Sequence, residues 1–322
     1  ETTKKLVLVN APGPGSGKLA TCLSQLYHEH KRGINAGYAK FETFPVWNLP
    51  LKHPVNIAYE AATADLKDIN MIDPFHLEKY NINAVNYNRD VETFPILKNI
   101  LHHITGKDIY FSPTDMGVNM VGYCIKNNDI VENAAKKEVV RRYFNELCNY
   151  KQGISDFDTV QKIKLLMNEL NIDENFLKVV EVSKKASEKK KTNVIALELP
   201  KGKIITGKQT DLLSPASSVI INAIKELSKI PDEINLLSPT ILEPILKLRK
   251  NNNTLSLQEV LIALAVCSVT NPSIASALEK LEVLKDCEAH ATYIVTNGDL
   301  KALKSLKINL TCEPNFYSKE IM

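Results

Sequence analysis

The string Ala11-Pro12-Gly13-Pro14-Gly15-Ser16-Gly17-Lys18 constrains this chain more than any other part of it. It lies between an apolar run, Leu6-Val7-Leu8-Val9, and a segment at residues 19–32 with helical apolar spacing. Strand, glycine-rich turn, lysine and helix in that order build a phosphate cradle. Backbone N–H groups at the helix N-terminus converge on the anion, and the helix dipole favours negative charge there. The turn predicts a phosphate site made by Gly13, Gly15, Ser16, Gly17 and Lys18.

The match to the P-loop pattern is incomplete. That pattern asks for Gly, four residues, Gly-Lys and then Ser or Thr. Pro12 holds the first glycine position and Leu19 the hydroxyl position. The hydroxyl normally ligates the Mg²⁺ that bridges the phosphates, so its loss weakens the case for Mg-ATP hydrolysis. Thr21 lies almost a turn further on, and Pro12 and Pro14 bring no N–H to the cradle. The expectation is a degenerate P-loop that takes ATP, another nucleotide or a phosphorylated small molecule, with Mg²⁺ left open. A tight turn that uses glycine for backbone freedom, with Lys18 in solvent, is the bland alternative.

Alternating strand and helix patterns at residues 4–126 predict an α/β domain with a mainly parallel sheet. Strands are expected at residues 5–9, 37–44 and 69–72, and helices at 19–32, 54–66 and 91–104. Residues 129–188 read as helical, with Val131, Ala135, Val139, Tyr143 and Leu147 on one face, and the lysine-rich stretch 184–191 as a solvated linker or frayed helix. A second C-terminal α/β subdomain follows. It opens with a hairpin of residues 194–199 and 203–206 around Pro200-Lys201-Gly202. Its helices are expected at 215–228, 240–250, 257–269, 274–285 and 300–306, and further strands at 291–296 and 307–311. The domain division is 1–127, 128–191 and 192–322.

A length of 322 residues suits two or three domains, and 44% apolar with 24% charged residues suits a globular protein. A net charge of +3 gives no long-range field for nucleic acid or an anionic membrane. The longest uncharged run, residues 260–278, is broken by Thr270-Asn271-Pro272-Ser273, which predicts two buried helices rather than a membrane span. Six cysteines without paired spacing point to free thiols in a reducing cytoplasm.

Several groups could join the loop in chemistry. Lys40 and Glu42 lie on a strand candidate that can approach it. Asp73 ends a short apolar run, as a Mg-binding aspartate would. Arg89, in Asn86-Tyr87-Asn88-Arg89-Asp90, is a candidate phosphate clamp, with Asp90 equally suited to a helix cap. Asp115, in Ser112-Pro113-Thr114-Asp115-Met116-Gly117, is the preferred base or metal ligand, though turn capping explains it equally. Lys40, Arg89 and Asp115 form the candidate catalytic set. Thr206-Gly207-Lys208 with Thr210 and Asp211 offers a second anion site or a capped turn.

Metal and hydrolase signatures fail. His28-Glu29-His30 lacks i, i+4 spacing, Cys287 and His290 with Cys312 distant offer a partial metal site but read better as scattered core residues, and no nucleophile elbow occurs. No zinc is expected.

Longer strings carry a resemblance. Residues 19–27 (Leu-Ala-Thr-Cys-Leu-Ser-Gln-Leu-Tyr), Lys40-Phe41-Glu42-Thr43-Phe44-Pro45, Asn48-Leu49-Pro50-Leu51-Lys52-His53-Pro54, the two polar clusters above and Leu310-Thr311-Cys312-Glu313-Pro314 stand beside the glycine loop. Together they resemble the bacterial family known as domain of unknown function eighteen-forty-six. The resemblance implies a cytosolic protein of several subdomains, of which this chain is the C-terminal two thirds. A preceding N-terminal α/β segment of the same protein is then a partner absent here. Some members are labelled ATP-dependent peptidases; the resemblance carries no catalytic residues, and nothing in this sequence supports peptidase chemistry. A phosphate-dependent enzyme, a nucleotide-responsive binding module and a structural protein all stay open, as does homo-oligomerisation.

Overall fold

The computed structural model describes residues 2–13, 15–40, 45–117, 119–247 and 254–317. The chain divides into two units, Glu1–Lys136 and Lys137–Met322.

In the first unit, α1 (Lys18–Lys31) starts at Gly17, whose φ of 86° is left-handed and suits glycine. α2 (Pro54–Ala62) begins after His53, whose ring accepts from Val55 N, with Pro54 where a missing N–H costs nothing. A 3₁₀ turn, Ala64–Leu66, leads to β1 (Asn70–Ile72). α3 (Pro74–Tyr80) is capped by Asp73, and β2 (Val85–Tyr87) pairs antiparallel with β1. α4 (Asn88–Thr105) follows, and its Phe94 and Leu101 pack with Leu26 of α1 and with Met116.

Polar side chains tie the irregular segments here. Asn56 is buried; its Oδ1 accepts from Val46 N at 2.7 Å and its Nδ2 donates to Val46 O and Pro50 O, each at 3.1 Å. Asn70 Nδ2 donates in turn to Asn56 O at 2.7 Å. Each such bond satisfies a backbone group that no ladder reaches.

The second unit includes most of α5 (Asn128–Lys151), then α6 (Phe157–Glu169) and α7 (Lys178–Lys190). β3 (Val194–Glu198) and β4 (Ile204–Lys208) form the hairpin expected from the sequence. α8 (Pro215–Leu227), α9 (Pro239–Lys247), α10 (Leu257–Ser268) and α11 (Pro272–Glu279) precede β5 (Glu288–Ala291), α12 (Asn297–Ser305) and β6 (Asn309–Cys312). The sheet runs β4-β3-β5-β6, with only β5 and β6 parallel. Ile195, Leu197, Ala289 and Ala291 meet Val219, Ile220 and Ala223 of α8 in the core. Gly207 lets α8 lie on β4: a Cβ there would fall 2.1 Å from Val219 N.

The fold is mixed α/β, with corrections to the expected detail. The predicted mainly parallel sheet is two small sheets in which antiparallel pairing dominates. Residues 5–9 carry no strand pairing, and Leu6 and Leu8 are each 76% exposed. A strand needs a ladder partner, and none lies beside it among the described residues. Of the strand expected at 37–44, Lys40 makes one isolated parallel bridge to Gly117, and Glu42 lies outside the described residues. The lysine-rich stretch forms the last turns of α7 rather than a linker, reaching Lys190. The strand expected at 291–296 is set earlier, at β5. The run 260–278 divides into α10 and α11 at Asn271-Pro272, and no described helix is long and apolar enough to cross a membrane.

Candidate functional site

The glycine loop is folded on itself. Gly15 and Gly17 both have left-handed φ, 72° and 86°. Lys18 Nζ donates to Gly13 O at 2.9 Å, and Ser16 Oγ donates to the same carbonyl. No acidic residue lies in the first turn of α1, so its unpaired N–H groups and Lys18 form one positive end. Thr21 Oγ1 donates to Gly17 O at 3.1 Å, and Leu19 is exposed. The hydroxyl of Thr21 is therefore spent on the helix. Pro14 lies outside the described residues.

Lys40 is held beside the 115–117 turn by a hydrogen bond from its N–H to Met116 O at 2.8 Å. Its Nζ donates to both oxygens of Asp90, at 2.6 and 2.7 Å. The neighbouring Arg89 donates from Nη2 to Asp68 Oδ2 at 2.9 Å, and Asp68 is buried. Drawing Arg89 off to clamp a phosphate would leave that carboxylate buried without its cation, which is costly. Lys40, Arg89 and the turn of Asp115 thus share a neighbourhood with both cations engaged by carboxylates. The loop's own hydrogen bonds stay within residues 13–21.

Asp115 closes a capping box with Ser112: its Oδ2 accepts from Phe111 N at 2.8 Å and Ser112 N at 3.1 Å. The same oxygen accepts from Tyr80 OH at 3.1 Å. Burial, together with that bond, pushes the Tyr80 phenol upward in pKa. Asp73 is wholly buried and caps α3 rather than pointing at a metal. Its Oδ1 accepts from Phe75 N and His76 N, and its Oδ2 from Thr114 N and from Thr114 Oγ1 at 2.6 Å.

The pattern of the sequence did not single out His76. Its Nδ1 lies 2.9 Å from Ser112 Oγ and 3.7 Å from Asp115 Oδ1, and its ring lies against Trp47 and Tyr80. The available signals were the two cap motifs, Asp73-Pro74 and Ser112-Pro113-Thr114-Asp115; that they meet across 41 residues has no periodicity to betray it. Tyr38, near Cys22, Asp90 and Tyr110, is pushed up to about 12, chiefly by burial.

In the second unit His290 is fully buried, with Nδ1 2.8 Å from Thr311 Oγ1 and Nε2 3.1 Å from Glu313 Oε1. Burial pushes His290 down, so the ring is neutral near pH 7 and Nε2–H donates to Glu313. Burial alone would raise Glu313, but hydrogen bonds from His290 and Lys184 hold it below the usual carboxylate range. Burial lifts the thiols of Cys148 to about 12 and Cys312 to about 11, and all six cysteines are free. No group of three or more His, Cys, Asp or Glu among the described residues is placed to hold a metal ion. Thr206, Gly207 and Lys208 end β4, with Gly207 packed beneath α8, and Thr210 Oγ1 accepts from Leu213 N at 3.0 Å in the turn that follows.

Comparison with known proteins gives the same match along the whole chain. A family model described as "Domain of unknown function DUF1846, N-terminal" matches residues 1–171, and its C-terminal counterpart matches residues 175–322. The match therefore includes both family domains rather than a C-terminal part alone. A UPF0371 protein of Clostridium tetani (strain Massachusetts / E88) is 52% identical, over 100% of this chain and 67% of the relative. UPF0371 proteins of Clostridium botulinum strains Alaska E43 and Kyoto are 54% and 51% identical over the same shares.

Proposed function

From the premise that this chain belongs to the DUF1846 family, a family of unknown function, we propose that its glycine loop binds the phosphate of a nucleotide or another phosphorylated small molecule. The observation that carries this reading is the pair of donors, Lys18 Nζ and Ser16 Oγ, folded onto the one carbonyl of Gly13 at the N-terminus of α1. A phosphate dianion is a stronger acceptor than a neutral carbonyl, because charge-assisted hydrogen bonds are roughly twice as strong. It would draw Lys18 and Ser16 away from Gly13, and the unpaired N–H groups of the first turn of α1 would add donors to it.

Leu19 and the engaged Thr21 favour binding over Mg-dependent hydrolysis. A transfer or hydrolysis step would draw on Lys40, Arg89 or Asp115, each of which must first leave its present partner. The two forms differ in one readout: a regulatory module binds without product. The exposed apolar run Leu6-Val7-Leu8 supports a further part of this reading. It would pair as a strand with a further segment of the same protein. Six free cysteines fit a reducing cytoplasm.

Calorimetric titration with ATP, ADP, GTP and glucose 6-phosphate, with and without Mg²⁺, tests the loop. Lys18→Ala should weaken the tightest of these by about tenfold or more, the loss of one charged hydrogen bond. Equal affinity in the variant, or silence from all four in the parent, removes the phosphate reading. Product analysis of the same mixtures separates enzyme from module.

A further inference from the structure

Four aromatic rings adjoin one another in the first unit: Tyr123, Trp47, His76 and Tyr80. Trp47 lies 6.2 Å from Tyr123 and 5.7 Å from His76 between ring centroids, and His76 lies 4.7 Å from Tyr80. The outer members are open to solvent, Tyr123 at 68% and Tyr80 at 41% exposure, whereas Trp47 is half-buried. His76 keeps 10% of its side chain in solvent.

Two ring nitrogens at the centre of this row are unspent. His76 uses Nδ1 on Ser112 Oγ, and among the described residues its Nε2 has no hydrogen-bond partner. Trp47 Nε1 likewise has none among them; the backbone carbonyl of Trp47 holds Val85 N, but the indole N–H is free. Neither nitrogen is among the buried polar atoms cut off from water. A merely structural aromatic cluster would be expected to use at least one of these groups internally, since a Trp or His near the interior normally finds a partner.

We propose that this row is a recognition site for a neutral, planar heteroaromatic ring of the nucleobase kind. Aromatic faces bind such rings by stacking, which tolerates any base because each has a π face. The indole N–H supplies a fixed donor for an in-plane acceptor of the ligand, and His76 Nε2 supplies the second contact. Asp115 stands behind His76, with Oδ1 3.7 Å from Nδ1, and disfavours an anionic ligand at this spot. Ser112, fully buried, and the capping box fix the imidazole edge that faces outward. Trp47 and His76 are first-contact groups for the ring, and Ser112 and Asp115 are positioning residues. The site shares no residue with the glycine loop, and its test does not pass through Lys18.

Trp47 is the one tryptophan in the 322-residue sequence, so its emission reports on the site without labelling. The probes are adenosine, guanosine, cytidine and uridine, which carry no phosphate, with glucose as the non-aromatic control. At least one nucleoside should quench or shift Trp47 emission in a saturable way, and glucose should not. Tyr123→Ala, a change at an exposed side chain that leaves the fold standing, should weaken the response about tenfold, as expected for loss of a stacking partner. His76→Gln should weaken it by a similar factor, and circular dichroism shows whether that variant is folded. In the parent protein, the ¹⁵N shift of His76 Nε2 should move on nucleoside addition, which a purely structural imidazole would not do. No response from any nucleoside, an equal response to glucose, or an unchanged affinity in Tyr123→Ala with a static Nε2 shift each overturns the proposal. Lys18→Ala should leave the nucleoside response intact; a failure at the loop and a failure here are thus told apart.

Discussion

The sheet of the second unit and that of the first are held in different ways. In the second, β3 is central, residues Val194 to Leu197 are all fully buried, and ladders to β4 and β5 satisfy its backbone on both sides. In the first, two three-residue strands form the whole described sheet, and Asn56, Asn70, Asp73, Ser112 and Asp115 bind backbone groups one by one. Burial without ladders demands polar side chains in the interior, and these are the groups from which sites are built. The contrast explains why the candidate chemistry falls in the first unit, while the second contributes a packed apolar frame.

The packed sheet of the second unit is most sensitive at Gly207. Gly207→Val places a side chain into the backbone of Val219, 2.1 Å from its nitrogen at the first carbon alone, and should cost about 3 kcal/mol or more. Urea unfolding followed by circular dichroism reads this; a loss below about 1 kcal/mol would mean that α8 is not seated on β4 as described. Next in size, Asp73→Ala removes an acceptor of four hydrogen bonds and the cap of α3, and should cost about 2 kcal/mol. Trp47 fluorescence is the local probe for that loss, and an unchanged midpoint would show that polar ties do not hold the first unit.

A smaller loss is expected on acidification. A buried His290 whose folded pKa is depressed binds its proton more readily unfolded, so its contribution is complete above the unfolded value near 6.5 and falls as pH drops below it. Glu313, also depressed, adds a loss in the same direction below about 4.5. His290→Leu should flatten the pH 5–7 part of the stability curve; an unchanged slope would assign the dependence elsewhere. Smallest of all, Leu8→Lys should change the stability of this chain by less than about 0.5 kcal/mol, because Leu8 is exposed. A larger loss on urea unfolding would show that the run is packed.

The same contrast governs what could be read in advance. The hairpin of β3 and β4 was legible because Val194-Ile195-Ala196-Leu197 is continuously apolar and Pro200-Lys201-Gly202 marks a turn. α1, α8 and α10 were legible from apolar spacing, and the start of α11 from Asn271-Pro272. The run 6–9 had the composition of a strand, but strand formation depends on a partner, and composition says nothing of whether one is present. β2 and α3 were missed because Val85-Asn86-Tyr87 is short and carries a buried asparagine, and a seven-residue helix offers little periodicity. Arg89 and Lys40 were recognised as cations near polar turns. Their partners Asp68 and Asp90 lie 21 and 50 residues away and were set by tertiary contact. The His76 row joins residues from 47 to 123, a grouping no local pattern announces.

Backbone amide spectra report directly on whether phosphate binds at the glycine loop. On addition of ADP to the ¹⁵N-labelled chain, the largest shifts should fall on Gly13, Gly15, Ser16, Gly17, Lys18 and Leu19, with Lys18→Ala abolishing them. Shifts centred elsewhere, or a spectrum unchanged by ADP, ATP and sugar phosphates alike, would contradict the claim and leave the glycine string as a turn.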